Sequence, residues 1–195
     1  MKEKRKKEKK SGSATFINWV IAAALLVASL CFVLYYGGTV RQGVVLWVGI
    51  VAFTVFYHLW LRILMGRLTA QWRIRHSHWW FRPRPFEKRL HRLLRVRRWK
   101  ERVLTYDPAA FSTKNHTLEE IANTMSKAET DHWINQLISL TTLLFAIPWG
   151  FFWGFLISAV CAMLFDAQFI VVQRYNRPVV LRVLERQRKR AERQA

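Results

Sequence analysis

The sequence predicts an all-α, polytopic membrane protein with four transmembrane helices and a basic cytoplasmic middle segment. Three observations carry that prediction. Apolar residues make up 52% of the 195 residues, yet Lys and Arg number 32 against 12 Asp and Glu, a formal net charge of +20. Mean hydropathy is nevertheless close to zero, so charge and apolar surface must be segregated along the chain. The apolar part is gathered into runs long enough to cross about 30 Å of hydrocarbon as a helix. Ten Trp and 13 Phe exclude a disordered chain, and two cysteines exclude a disulfide-stapled scaffold.

Residues 1–15 form a basic head with seven Lys and Arg. Residues 16–65 read as an N-terminal transmembrane hairpin. Phe16 to Tyr36 carries no charge, GGTVRQG turns the chain at 37–43, and a second uncharged run goes from Val44 to Leu61. The first run is longer than a signal-peptide core and no Ala-x-Ala site follows it, so it is expected to stay as an anchor. Residues 66–116 read as a basic amphipathic segment lying in the membrane interface. Residues 117–178 form a helical core with a third span from Trp133 to Ile147, a break at Pro148-Trp149-Gly150, and a fourth from Phe151 to Val172. Residues 179–195 are a basic tail. With both termini cytoplasmic, 31 of the 32 cations fall on the cytoplasmic side of a multi-pass cell-membrane protein.

The sequence has no G-x-S-x-G elbow, no H-E-x-x-H, no phosphate loop and no cysteine pair at metal-binding spacing, so no metal is expected. Cys31 and Cys161 lie within apolar runs as packing residues. Trp79, Trp80 and Phe81 beside Arg82 and Arg84 suit a membrane–water boundary. The stretch from Phe86 to Leu104 could lie with Leu90, Leu93, Leu94 and Val103 toward lipid and its arginines toward headgroups. Arg among aromatics also suits nucleic acid. A chain held at an anionic leaflet explains the charge without it, so no nucleic-acid partner is expected.

Thr117-Leu118-Glu119-Glu120 has the pattern of a capping box. No Gly or Pro follows before Pro148, so one helix should run from the cytosol into the third span. On a wheel of about 100° per residue, Glu129, His132 and Gln136 join the apolar stripe of Leu118, Ile121, Ala122 and Met125. Glu120, Thr124, Lys127 and Asp131 fall on the other side, facing water. Glu129 and His132 stand three apart and can touch. They read either as a structural pair joining helices or as a base, His132, oriented by Glu129.

In the fourth span Asp166 and Gln173 share a face. Arg174-Tyr175-Asn176-Arg177 follows at the exit, and Pro178 biases Arg177 away from helix. This cluster reads as an interfacial anchor or as donors for phosphate, sugar hydroxyls or an oxyanion.

FEK (86–88), VRRWKERV (96–103), SKAETDHW (126–133) and FIVVQRYNRP (169–178) resemble the glycosyl-4,4'-diaponeurosporenoate acyltransferase family over about residues 80–186. That family acylates the sugar of a glycosylated carotenoid acid, the last step toward staphyloxanthin-type pigments. Trp99 and Lys100 match its Trp-Lys. Ala128, Glu129, His132 and Trp133 match its Ala-Glu-x-x-His-Trp. Gln173 to Pro178 match its Gln-Arg-Tyr-Asn-Arg-Pro, whereas Asp166 stands where the family commonly has Asn. The resemblance implies an acyltransferase-like core and transfer of a fatty acyl group from an acyl thioester, acyl-CoA as co-substrate, to a sugar hydroxyl. No bound cofactor is implied. His132 and Glu129 would be catalytic. Arg174, Tyr175, Asn176, Arg177, Lys100, Trp99, Trp133, Gln173 and Asp166 would contact substrate. Expected partners are membrane lipids, a membrane-embedded glycosylated isoprenoid and other pigment-pathway enzymes. The competing class is a non-enzymatic basic membrane scaffold that binds anionic lipids or partner enzymes.

Overall fold

A computed structural model describes residues 12–103 and 108–194. The expectations for residues 1–11 of the basic head, and for Leu104 at the end of the interfacial stretch, lie outside the described residues. The described residues form helices and connecting turns, with no strand among them. They divide into two units, residues 1–64 and 65–195.

The first unit holds α1 (Gly12–Tyr36) and most of α2 (Gly43–Leu68). Both are uninterrupted by Pro and expose apolar residues such as Trp19, Leu26, Val33, Val44 and Val51. The turn between them needs Gly38 at φ +80, a left-handed conformation that a side chain resists. A Cβ added at Gly49 would stand 3.0 Å from both Cys31 Cβ and the Phe32 ring, so this glycine lets α1 and α2 approach closely.

The second unit follows α2 through a 3-10 turn at Thr69–Gln71 and another at Trp79–Phe81. The predicted interfacial stretch forms two short helices, α3 (Glu87–Leu93) and α4 (Val96–Trp99), separated by Arg95 at φ 49. Next come α5 (Leu118–Thr141), α6 (Ala146–Trp149) and α7 (Phe152–Glu192). α5 starts as its sequence dictates. Thr117 Oγ1 accepts from the Glu120 N–H at 3.2 Å, and Glu120 Oε2 accepts from the Thr117 N–H at 2.8 Å. α5 lies antiparallel along α7, and Ile121, Ala122, Met125, Phe155, Ala159 and Ile170 are among the buried apolar residues of this unit.

Three helical segments are long and apolar enough to cross a membrane: Thr15–Tyr36, Gly43–Gln71 and Phe152–Glu192. The expected third span is not among them. Its residues end α5, tighten into a 3-10 turn at Thr142–Phe145, and continue through α6 to Gly150 at φ 70. The inner face of this stretch is polar, with Asn135, Gln136, Ser139 and Thr142 all buried. Hydroxyl back-bonds from Ser139 to the Asn135 carbonyl and from Thr142 to the Ser139 carbonyl accompany the tightening.

Two local expectations are corrected. α7 runs through Pro178 to Glu192 instead of stopping at Arg177. Proline's missing N–H and ring clash cost helix stability, but Arg177 is pinned by tertiary bonds on the buried face. Asp131 is half-buried instead of facing water. It accepts from Thr69 Oγ1 at 2.7 Å and from Lys127 Nζ at 2.6 Å.

The Glu120 carboxyl is held below its usual range by the Thr117 backbone N–H and then the Thr117 hydroxyl. Its capping contribution is therefore fully present above the ordinary Glu pKa and is lost as pH falls through the lowered folded value. Thr117→Ala should weaken the start of α5 by about 1 kcal/mol. Amide hydrogen exchange at Glu119 to Ile121 should accelerate about fivefold, with α7 unaffected; unchanged exchange would show that the cap contributes nothing.

Candidate functional site

Glu129, His132, Asn135 and Gln136 fall on one face of α5 because they recur at helical spacing. That face meets α7 in descending order, as antiparallel helices require. Glu129 meets Arg174 and Arg177, His132 meets Phe169 and Asp166, and Gln136 Nε2 donates to the Met163 carbonyl at 2.9 Å.

Glu129 has no exposed surface. Its Oε1 accepts from Arg174 Nε at 2.7 Å and from Trp133 Nε1 at 3.4 Å, and its Oε2 accepts from Arg177 Nη1 at 2.7 Å. Arg174 Nη1 also donates to Glu87, which is itself buried at the start of α3, and Arg174 Nη2 donates to the Trp80 carbonyl at 3.0 Å. Arg177, 2% exposed, donates through Nη2 to the Phe81 carbonyl at 2.9 Å and lies over the Phe81 ring at 5.0 Å. Two carboxylates and two guanidiniums thus form a charge-balanced buried cluster. It joins α5 and α7 to the segment from Trp80 to Glu87. A buried charge is tolerable when it is paired and hydrogen-bonded in this way.

His132 stands on the next turn. Its Nδ1 lies 2.9 Å from Asp166 Oδ1, and its ring stacks on Phe169 with centroids 4.4 Å apart and planes 4° apart. Asp166 is fully buried and also accepts from Asn135 Nδ2 at 3.4 Å, whereas the His132 side chain keeps 22% of its surface exposed. A carboxylate accepts only, so an ionised Asp166 would pair with a proton on Nδ1, the tautomer that suits Nε2 to act as a base. This corrects the expected Glu129–His132 couple. The i, i+3 spacing permits that contact, but two guanidiniums claim both oxygens of Glu129, and Asp166 serves the imidazole from α7.

A third group surrounds the following residues of α7. Lys100 Nζ donates to Asn176 Oδ1 at 3.2 Å and lies 5.4 Å from the centre of the Tyr175 ring, and His91 meets the same ring edge-on at 5.4 Å. Burial pushes the His91 pKa below its usual value; Glu87 acts against that and Arg174 reinforces it. Among the described residues the side-chain partner of Lys100 is the neutral amide of Asn176. Trp99 Nε1 is turned to the Leu94 carbonyl at 2.8 Å, and Trp133 packs against Trp80 at 6.0 Å. Gln173 is half-buried on α7, outside these contacts. Among the described residues no three His, Cys, Asp or Glu side chains come together as a metal site.

The structure therefore sorts the expected residues into a brace (Glu129, Arg174, Arg177), an imidazole–carboxylate pair (His132, Asp166) and a cationic corner (Lys100, Tyr175, Asn176). Glu87 was missed as a site residue. Its signal was its isolation, since it is the one acid between Arg62 and Lys100. The Trp80 and Phe81 carbonyls and the Phe169 stack gave no side-chain signal.

Residues 77–186, more than half of the chain, match the profile of a family described as glycosyl-4,4'-diaponeurosporenoate acyltransferase. No curated protein and no solved structure matches the chain. The matched stretch contains the brace, the imidazole–carboxylate pair and the cationic corner, and none of α1 or α2.

Glu129→Ala would leave the buried Arg177 without its carboxylate and Arg174 with Glu87 alone, a loss of roughly 3–5 kcal/mol. The thermal midpoint of the purified protein in detergent should fall by several degrees. Glu119→Ala, which breaks an exposed pair to Arg188, should leave it nearly unchanged. Equal midpoints for the two variants would refute the brace.

Proposed function

The chain belongs to the glycosyl-4,4'-diaponeurosporenoate acyltransferase family, and we propose that it moves a fatty acyl group from an acyl thioester to a sugar hydroxyl of a glycosylated carotenoid or similar membrane glycolipid. The observation that carries this reading is the part-exposed His132 imidazole held by a fully buried Asp166 inside the family-matched stretch.

In this reading His132 Nε2 takes the proton of the sugar hydroxyl as its oxygen attacks the thioester carbonyl. The tetrahedral intermediate collapses, the carbon–sulfur bond breaks, and the imidazolium returns the proton to the leaving thiolate. An ester and a free thiol result, with no net change in protons. Asp166 holds the ring and stabilises its charged form. Lys100, helped by Asn176 and Tyr175, offers positive charge to the phosphates of a donor such as acyl-CoA. Asn176 lies seven residues beyond Phe169 on α7, roughly 10 Å along the axis, so donor phosphate and reacting carbon would be separate. Arg174 and Arg177 act as positioning residues, because their donors are engaged within the protein. The Trp80–Trp133 pair borders the same face and suits the apolar part of the acceptor.

Four crossings with both termini at the cytoplasmic face remain part of this reading. Lys and Arg placement supports it. The outer face of α5 and α6 adds support, since Trp133, Leu137, Leu140, Leu144 and Ile147 are exposed. Such a helix can cross on its apolar face while its polar face is satisfied by α7. Mean hydropathy does not register that division of labour. Membrane lipids and other enzymes of the pigment pathway are the partners this placement favours.

The test is expression beside a pathway that makes a glycosylated carotenoid, with the lipids weighed by mass spectrometry. The wild-type chain should yield the acyl ester. His132→Ala and His132→Gln, at equal membrane abundance, should accumulate the unacylated glycoside, with rates lowered about 10²–10⁴-fold. Asp166→Asn keeps an accepting oxygen and should retain more activity than Asp166→Ala. Full product from His132→Gln would remove His132 as the base, and ester made equally without the chain would favour a non-enzymatic scaffold.

A further inference from the structure

The α3–α4 segment has features the acyl-transfer reading does not use. Between positions 82 and 98 eight Lys and Arg side chains are exposed, while the one acid, Glu87, is buried. Glu87 is also neutralised by Arg174, so nothing within the segment offsets the exposed cations. Apolar side chains stand out among them. Leu93 is 80% exposed, Phe86 58% and Leu94 42%. The left-handed Arg95 turns the chain between the two helices, leaving Leu93 and Leu94 just before the bend. Val96, by contrast, is completely buried and roots the bend in the protein. This α3–α4 wedge therefore exposes apolar side chains and cations together.

Its height is set by α7. Glu87 is tied to Arg174, His91 to Tyr175 and Lys100 to Asn176. These are three consecutive residues, and they lie where α7 passes from its apolar run, ending at Val172, into its charged end. The 79–81 turn is bonded to the same level, with Trp79 exposed. Exposed apolar side chains held at the end of a membrane-crossing run, with exposed arginines in the same segment and an exposed Trp nearby, match the chemistry of a headgroup layer.

We propose that the α3–α4 wedge inserts Phe86, Leu93 and Leu94 into the cytoplasmic leaflet and binds anionic lipid headgroups through its exposed arginines. Depth favours lipid over an acidic soluble protein, because α7 holds the wedge beside the bilayer instead of projecting it into the cytosol. The proposal does not depend on acyl transfer, and its test does not read activity.

The full chain, with Cys31→Ser and Cys161→Ser, carries a nitrobenzoxadiazole label on Leu93→Cys. It is reconstituted in phosphatidylcholine vesicles and in vesicles with about one third phosphatidylglycerol. Dithionite quenching, divided by that of a headgroup-labelled lipid dye in the same vesicles to remove the repulsion of this dianion from a charged surface, should be about fivefold slower in the anionic vesicles, with blue-shifted emission. Replacing Arg92, Arg95, Arg97 and Arg98 by Gln, all exposed and so compatible with folding, should abolish the difference. Quenching as fast as for a free dye in both vesicles would overturn the proposal and leave the patch to an acidic soluble partner. Equal protection in both would overturn the role of headgroup charge.

Discussion

A carboxylate sealed from water between two guanidiniums is the constraint on which the second unit depends. Glu129 has zero exposed surface and accepts from both Arg174 and Arg177 at 2.7 Å. Such an arrangement is stable only as a whole. Each charge would be costly alone, and the fork geometry of arginine satisfies both carboxylate oxygens at once. Because Arg174 also binds Glu87 and the Trp80 carbonyl, and Arg177 the Phe81 carbonyl, one cluster fixes three pieces of chain. It also sets the register of α5 against α7.

That register decides what the next turns present. With Glu129 opposite Arg174 and Arg177, His132 falls opposite Asp166 and Phe169, and the imidazole is held on one edge and one face. Toward the other end of the cluster, Tyr175 and Asn176 receive His91 and Lys100. A single buried pairing thus places a candidate base on one side and Lys100 on the other. The arginines themselves are engaged in holding the fold, which is why the proposed function gives the task of meeting an anionic donor to Lys100. The same cluster anchors α3 and the Trp79–Phe81 turn, so the proposed chemistry and the proposed membrane contact share one foundation.

Much of this was legible in the sequence, and the rest was hidden for identifiable reasons. The capping box set the start of α5 because its signal is local, two side chains and two amides within four residues. Helical spacing put Glu129 and His132 on the buried face, and the family motifs marked the same positions. Their partners were not legible, because i, i+3 proximity competes with cross-helix pairing, and only the register of α5 against α7 decides between them. Pro178 misled because its local bias was overridden by Arg177, whose buried bonds keep that turn helical. Asp131 misled because the wheel could not see Thr69 approaching from another element. The stretch from Trp133 to Ile147 is apolar on one face only, so its mean hydropathy says little about its place.

The central claim is that the imidazole of His132, seated on Asp166, removes the proton of the acceptor hydroxyl. Chemical rescue tests it most directly, in lipid nanodiscs with an acyl thioester and a glycosylated carotenoid. His132→Ala should be inactive alone and should recover part of the rate, saturably, as free imidazole fills the space above Phe169. Ester formation by His132→Ala at the wild-type rate without added imidazole would contradict the account.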